Sequence, residues 1–81
     1  MRISPIKVES HAGYKSDEYP LSFYWHDKRF EINEIIDRWY QSDPNAEWAI
    51  ANYFKVSTST GMECLIKHVI EFDIWYLVKI W

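Results

Sequence analysis

Apolar and polar residues alternate with a period of two along much of this chain, and the breaks in that period mark where strands end or bend. Ile6-Lys7-Val8-Glu9 alternates strictly and predicts a first short strand. Pro20 opens a second over Leu21-Ser22-Phe23-Tyr24-Trp25, at an edge or an incoming bend, because proline brings no N–H to a ladder. His26-Asp27-Lys28 is a tight connection into a long third strand starting at Arg29. Residues 48–58 predict a fourth strand, with Ile50, Phe54 and Val56 on one face. Thr60-Gly61 predicts a hairpin turn with Gly61 at positive φ. Residues 62–70 and 74–81 predict a fifth and a sixth strand, joined by a turn at Glu71-Phe72-Asp73. Between these elements lie a polar loop over residues 10–19, holding Gly13 and Tyr14, and a second loop over residues 41–46. In that second loop Asp43 before Pro44 disfavours helix.

The third strand, Lys28-Arg29-Phe30-Glu31-Ile32-Asn33-Glu34-Ile35-Ile36-Asp37-Arg38-Trp39-Tyr40, has two readings. Ile32, Ile35, Ile36 and Trp39 are spaced as one face of a helix, and Glu31 and Glu34 suit a first helical turn. No N-capping residue stands between Arg29 and Ile32, however, and the entry at Phe30-Glu31-Ile32 alternates. A strand with one extra residue at Asn33-Glu34 produces the same spacing, because a bulge shifts the inward phase by one. It would put Ile35 and Trp39 on the side of Phe30 and Ile32. The bulged strand is preferred, with a short helix over residues 31–40 left open.

Six short strands joined mostly by hairpins predict an all-β chain, an antiparallel meander over a single domain, residues 1–81. The last two strands are apolar on both faces, so they need cover on two sides. Rolling the meander into a small SH3-like barrel, or a strongly curved sheet, provides part of it. Trp81 implies that the last strand is tied down or pairs with another chain.

Composition supports a dense core: 48% of residues are hydrophobic and 19% aromatic, which excludes intrinsic disorder. The single cysteine, Cys64, excludes an internal disulfide and a multi-cysteine zinc site. No apolar run approaches the roughly 18 residues of a membrane-spanning helix, and the first residues lack the pattern of a signal peptide. A cytoplasmic setting without membrane contact is the resulting expectation. Net charge is −3, but residues 17–47 hold eight acids against three bases and the remainder six bases against four acids. That disfavours a strong nucleic-acid binder, which needs cations to neutralise phosphates.

The run from Lys28 to Tyr40 resembles an uncharacterised family of small bacterial β-domains. Three further features fit it. They are the opening Pro5-Ile6-x-Val8-Glu9-Ser10-x-x-Gly13-Tyr14, the segment Tyr53-Phe54-Lys55-Val56 followed by a turn at Gly61, and a late Trp75-x-Leu77. Some relatives are encoded beside, or fused to, Y-family DNA polymerase-like proteins. The resemblance implies the β fold, a bacterial cytoplasmic setting and a link to DNA repair or replication, and it assigns no activity. The chain departs from the pattern at Asp27-Lys28, where a glycine usually shapes the hairpin.

No arrangement of residues predicts catalysis. The carboxylates, Asp17-Glu18 among them, lack an activated nucleophile, a phosphate-binding loop or a histidine partner. His11, His26 and His68 fall in separate elements without metal-ligand spacing, and read as exposed loop or edge residues. Cys64 and His68 lie about 13 Å apart along a strand, too far to share an ion, so neither a metal nor a cofactor is expected. Tyr14, Tyr24, Trp25, Arg38 and Tyr40 are the candidate partner-binding residues, since tyrosine, tryptophan and arginine anchor interfaces and stack on bases. Core packing of the same rings is the competing reading. The expectation is a non-enzymatic module for an unknown protein partner or for self-association. A nucleic-acid-binding accessory domain is the alternative.

Overall fold

Six strands run in chain order around the molecule: β1 (Ser4–His11), β2 (Tyr19–Trp25), β3 (Lys28–Ser42), β4 (Ile50–Thr58), β5 (Glu63–Val69) and β6 (Ile74–Ile80). The computed structural model describes residues 4–11, 18–42 and 50–81. Each strand pairs antiparallel with the next, and β6 returns to β1, closing the barrel. The segment from residue 31 to 40 is therefore strand throughout.

The turns follow from residues that accept left-handed backbone. His26 and Asp27 both take positive φ, 53° and 62°, in a two-residue connection between the paired Trp25 and Lys28. That conformation matches the right-handed twist of the flanking strands. Gly61 has φ 87°, and its N–H donates to the Thr58 carbonyl at 2.9 Å. Asp73 takes φ 52° in the β5–β6 turn, its N–H donating to the Ile70 carbonyl at 3.2 Å.

Phe23, Phe54, Val56, Cys64, Ile66, Trp75 and Leu77 form the buried core, with Ile6, Val8, Phe30, Ile32 and Ile35 packed against it. Phe23 stacks on Phe30 at 5.3 Å between ring centroids, and Phe54 meets Trp75 at 5.8 Å.

The bulge expected at Asn33-Glu34 is present: Ile32 pairs with Thr58 but Glu34 with Ser57, so Asn33 is the extra residue. A second shift lies between Ile35 and Asp37, which leaves Ile36 extra. This second bulge corrects the expectation for Trp39. Ile32, Ile35 and Arg38 lie opposite Thr58, Val56 and Phe54 on the inner face, whereas Trp39 lies opposite Tyr53 on the outer one. Trp39 stacks flat on Tyr53 there, 5.5 Å between centroids and 4° between planes. Trp81 is tied down within its own chain. Its N–H donates to the Glu63 carbonyl at 2.9 Å, and Lys55 and Lys79 lie over its ring.

Candidate functional site

The barrel has two different ends. At one, the β2–β3 and β4–β5 hairpins close over Trp25 and Met62, both packed on the core. At the other, described residues from five elements converge on a polar cluster inside an apolar rim. Alternation along β4 and β5 places Asn52 and His68 opposite each other on the inner face, one pair beyond Phe54 and Ile66. Both are buried. The next strand adds Trp75 opposite His68, and the two rings stack at 3.9 Å with 5° between planes.

Two carboxylates complete the cluster. The positive-φ turn at Asp73 aims Oδ1 at His68 Nε2, 2.8 Å away; the histidine side chain is 3% exposed and the aspartate 77%. Glu18, just before β2, brings a carboxylate to the same point, and one ligand atom from each of Glu18, His68 and Asp73 lies within 4.8 Å of the others. Glu18 is held from two sides. Ser10 Oγ donates to its Oε2 at 2.6 Å, and an Arg38 guanidinium N–H donates to its carbonyl at 3.3 Å. The Arg38 guanidinium lies 5.0 Å from the Phe54 ring centroid.

Beside this cluster the described residues leave the wall open. The β1–β6 ladder pairs only Ser4, Pro5 and Ile6 with Leu77, Tyr76 and Trp75 among the described residues, while β1 runs on to His11. The parting strands leave a cleft of about 310 Å³ whose lining includes Ile6, Val8, Ser10, Glu18, Asp73 and Trp75. At this end of the barrel Tyr40, Ile50, Ile70, Phe72 and Ile74 stand exposed, and Ile74 also lines the cleft.

The five sequence candidates separate. Arg38 and Tyr40 lie at this end, and Tyr40 pairs across the sheet with Asn52. Trp25 does not: it packs on the core at the other end, 6.4 Å from Phe30 and 4.3 Å from His26 between ring centroids. Tyr24 is on the outer face of β2, under the Lys7 ammonium at 5.9 Å. Tyr14, with Gly13 and Asp17, lies outside the described residues, as do Asp43, Pro44 and Trp48. His68 overturns its expected place, being buried rather than exposed. The sequence held a partial signal for it. His68 lies shortly before the turn expected at residues 71–73 and Asp73 closes that turn, so a hairpin there brings them together.

Two groups elsewhere have shifted acidities. Ser22 Oγ donates to Glu9 Oε1 at 2.5 Å and Arg29 Nε at 3.0 Å, and these contacts, the serine's first, hold the Glu9 carboxyl below its ordinary value. Burial alone pushes the Cys64 thiol up to about 12, so Cys64 is a neutral core residue and no nucleophile.

No family model, curated protein or solved structure matches this chain. The residues themselves have to supply the functional argument.

Proposed function

We propose that the protein is a non-enzymatic interaction module that takes a protein partner at the open end of the barrel. One observation carries the reading: Tyr40, Ile50, Ile70, Phe72 and Ile74 gather their exposed apolar surface at the end where the β1–β6 ladder stops. Apolar side chains clustered around a polar centre favour protein contact, with the rim supplying area and the centre orientation. Beyond Ile6 the β6-facing edge of β1 has no strand partner among the described residues, which adds backbone groups that an extended segment can pair with. A photo-crosslinking amino acid at position 72 tests this in cells. It should give a discrete adduct that the same probe at the exposed Glu34 does not give. An adduct at twice the chain mass identifies self-association. Absence of an adduct at position 72 removes the reading.

A second reading, nucleic-acid binding, has its own observation on the outer face of β4–β6. Lys55 and Lys79 lie 4.7 and 4.9 Å from the Trp81 ring centroid, and Lys67 lies 5.8 Å from that of Tyr53. Rings with cations suit single-stranded nucleic acid, but these rings already hold lysines of their own chain, and Lys67 is buried. Fluorescence titration with single-stranded DNA decides: tight binding that weakens steeply with salt supports it, and none at low salt removes it.

A further inference from the structure

We infer that Glu18, His68 and Asp73 form a binding site for one divalent first-row transition-metal ion, with Zn²⁺ as the representative. The three residues come from separate parts of the chain, and their ligand atoms lie within 4.8 Å of one another. Ligands of one ion, each about 2.0–2.2 Å from it, stand roughly 3–4 Å apart. Rotation of the exposed Asp73 and the half-buried Glu18 is enough to close that difference. The histidine need not move, because Trp75 stacks on its ring and fixes the plane.

The independent observation lies behind the histidine. Asn52 Oδ1 and His68 Nδ1 are both buried, and neither has a hydrogen-bond partner among the described residues. The two residues are direct cross-strand neighbours with their side chains on the same inner face, so their Cβ atoms stand about 4.5–5.5 Å apart. A small turn of the Asn52 side chain would let one hydrogen bond satisfy both, with Nδ1–H donating to the Asn52 carbonyl oxygen. That tautomer leaves the Nε2 lone pair facing the Asp73 carboxylate oxygen at 2.8 Å, with Glu18 close by. Two lone pairs at that distance repel unless a proton or a metal ion is shared between them, and of the two only a metal ion also engages Glu18. A metal ion removes the repulsion, and the Asn52–His68 bond becomes the outer support that metal-bound histidines characteristically have. Ser10 does the same for Glu18, donating to Oε2 at 2.6 Å. One imidazole with two carboxylates suits Zn²⁺, Mn²⁺ or Fe²⁺ and offers no soft ligand for Cu⁺. Three protein ligands leave a position open, and Glu18 and Asp73 both line the cleft between β1 and β6.

The competing arrangement is a plain pair in which Nε2–H donates to Asp73 and the Asn52 amide donates to Nδ1. Calorimetric titration of chelator-stripped protein with Zn²⁺, read beside the ¹⁵N resonances of the His68 ring, separates the two. The expected result is one equivalent bound, with Nδ1 protonated and Nε2 shifted by the metal. Asp73→Asn and Glu18→Gln should each weaken binding by about tenfold or more, and Asn52→Ala by about 10–100-fold, as loss of an outer-shell partner does. Asp73 is exposed, so Asp73→Asn retains the fold, which circular dichroism checks. The site is overturned if no heat appears with Zn²⁺ or Mn²⁺. It is equally overturned if the His68 ring resonances stay in place, or if binding is the same in Asp73→Asn and Glu18→Gln.

Discussion

Cys64 shows how much one buried position decides. It sits opposite Val56 and Ile80, with no accessible surface, and burial raises its thiol from an ordinary 9.0 to about 12. Below pH 9 the thiol is protonated whether the chain is folded or not. Above it the unfolded chain ionises while the folded one cannot, so stability falls between about pH 9 and 12. Each unit in that window costs about 1.4 kcal/mol at most. Denaturant midpoints measured across this range should drop more steeply for the native chain than for Cys64→Ala. At neutral pH the native thiol should react with a disulfide reagent only as fast as the barrel opens. The burial of Cys64 was legible in the sequence, because it sits in a strand apolar on both faces and has no second cysteine to bond. That of His68 was not. Its burial depends on Trp75 and Asn52, which reach it only through the pairing of three strands.

Among the elements, the β2–β3 hairpin carries a local strain that a substitution can relieve. Asp27 holds φ 62° next to His26 at 53°. Aspartate tolerates this conformation better than most residues, but glycine adopts it without steric penalty. Asp27→Gly should stabilise the protein by up to about 1 kcal/mol, the left-handed penalty of roughly 1–2 kcal/mol less the entropy that glycine adds to the unfolded chain, raising the melting temperature by about 4–8 °C for each kcal/mol in a domain of this size. Calorimetric melting checks it, and a lowered midpoint would show that Asp27 has a compensating contact. Most elements were legible because a period of two is hard to mistake over seven or more residues. β3 was the ambiguous one. Its inner residues Ile32, Ile35 and Arg38 follow a spacing of three, which strict alternation forbids and a helix allows. The first bulge could be read from Asn33-Glu34, but the second at Ile36 could not. Nothing in the sequence distinguishes an isoleucine that bulges outward from one that packs inward, and so Trp39 was placed on the wrong face.

At the scale of the molecule, closure is uneven. Among the described residues β3 and β4 pair at nine positions and β4 and β5 at seven, but β1 and β6 at three. That the strands would roll was legible from two successive strands apolar on both faces. Which junction would be the short one was not, because it depends on where β1 leaves β6 to follow β2. The candidate site sits at this junction, assembled from residues 18, 38, 52, 68 and 73. No stretch of sequence contains it, which is why a search for motifs finds only Arg38 and Tyr40.

The two bulges of β3 bear on that junction from across the molecule. They lie where β3 stops pairing with β2, at Glu31, and begins pairing with β4, at Ile32. Removing Asn33 or Ile36 would leave every other residue facing as it does now, since each is the surplus member of its pair. What disappears is curvature, because a bulge bends its strand. A ring of strands has a fixed circumference to turn through, and an arc flattened in one place must be made up in another. The joint least able to supply it is the three-residue contact of Ser4, Pro5 and Ile6 with β6. A chain lacking both Asn33 and Ile36 should therefore keep its inner and outer faces and part at that joint. Amide exchange would speed up at Ile6 and Leu77 while β4 and β5 stay protected. Faster exchange confined to β3 itself would mean that the curvature is held locally, and that the ring does not share it.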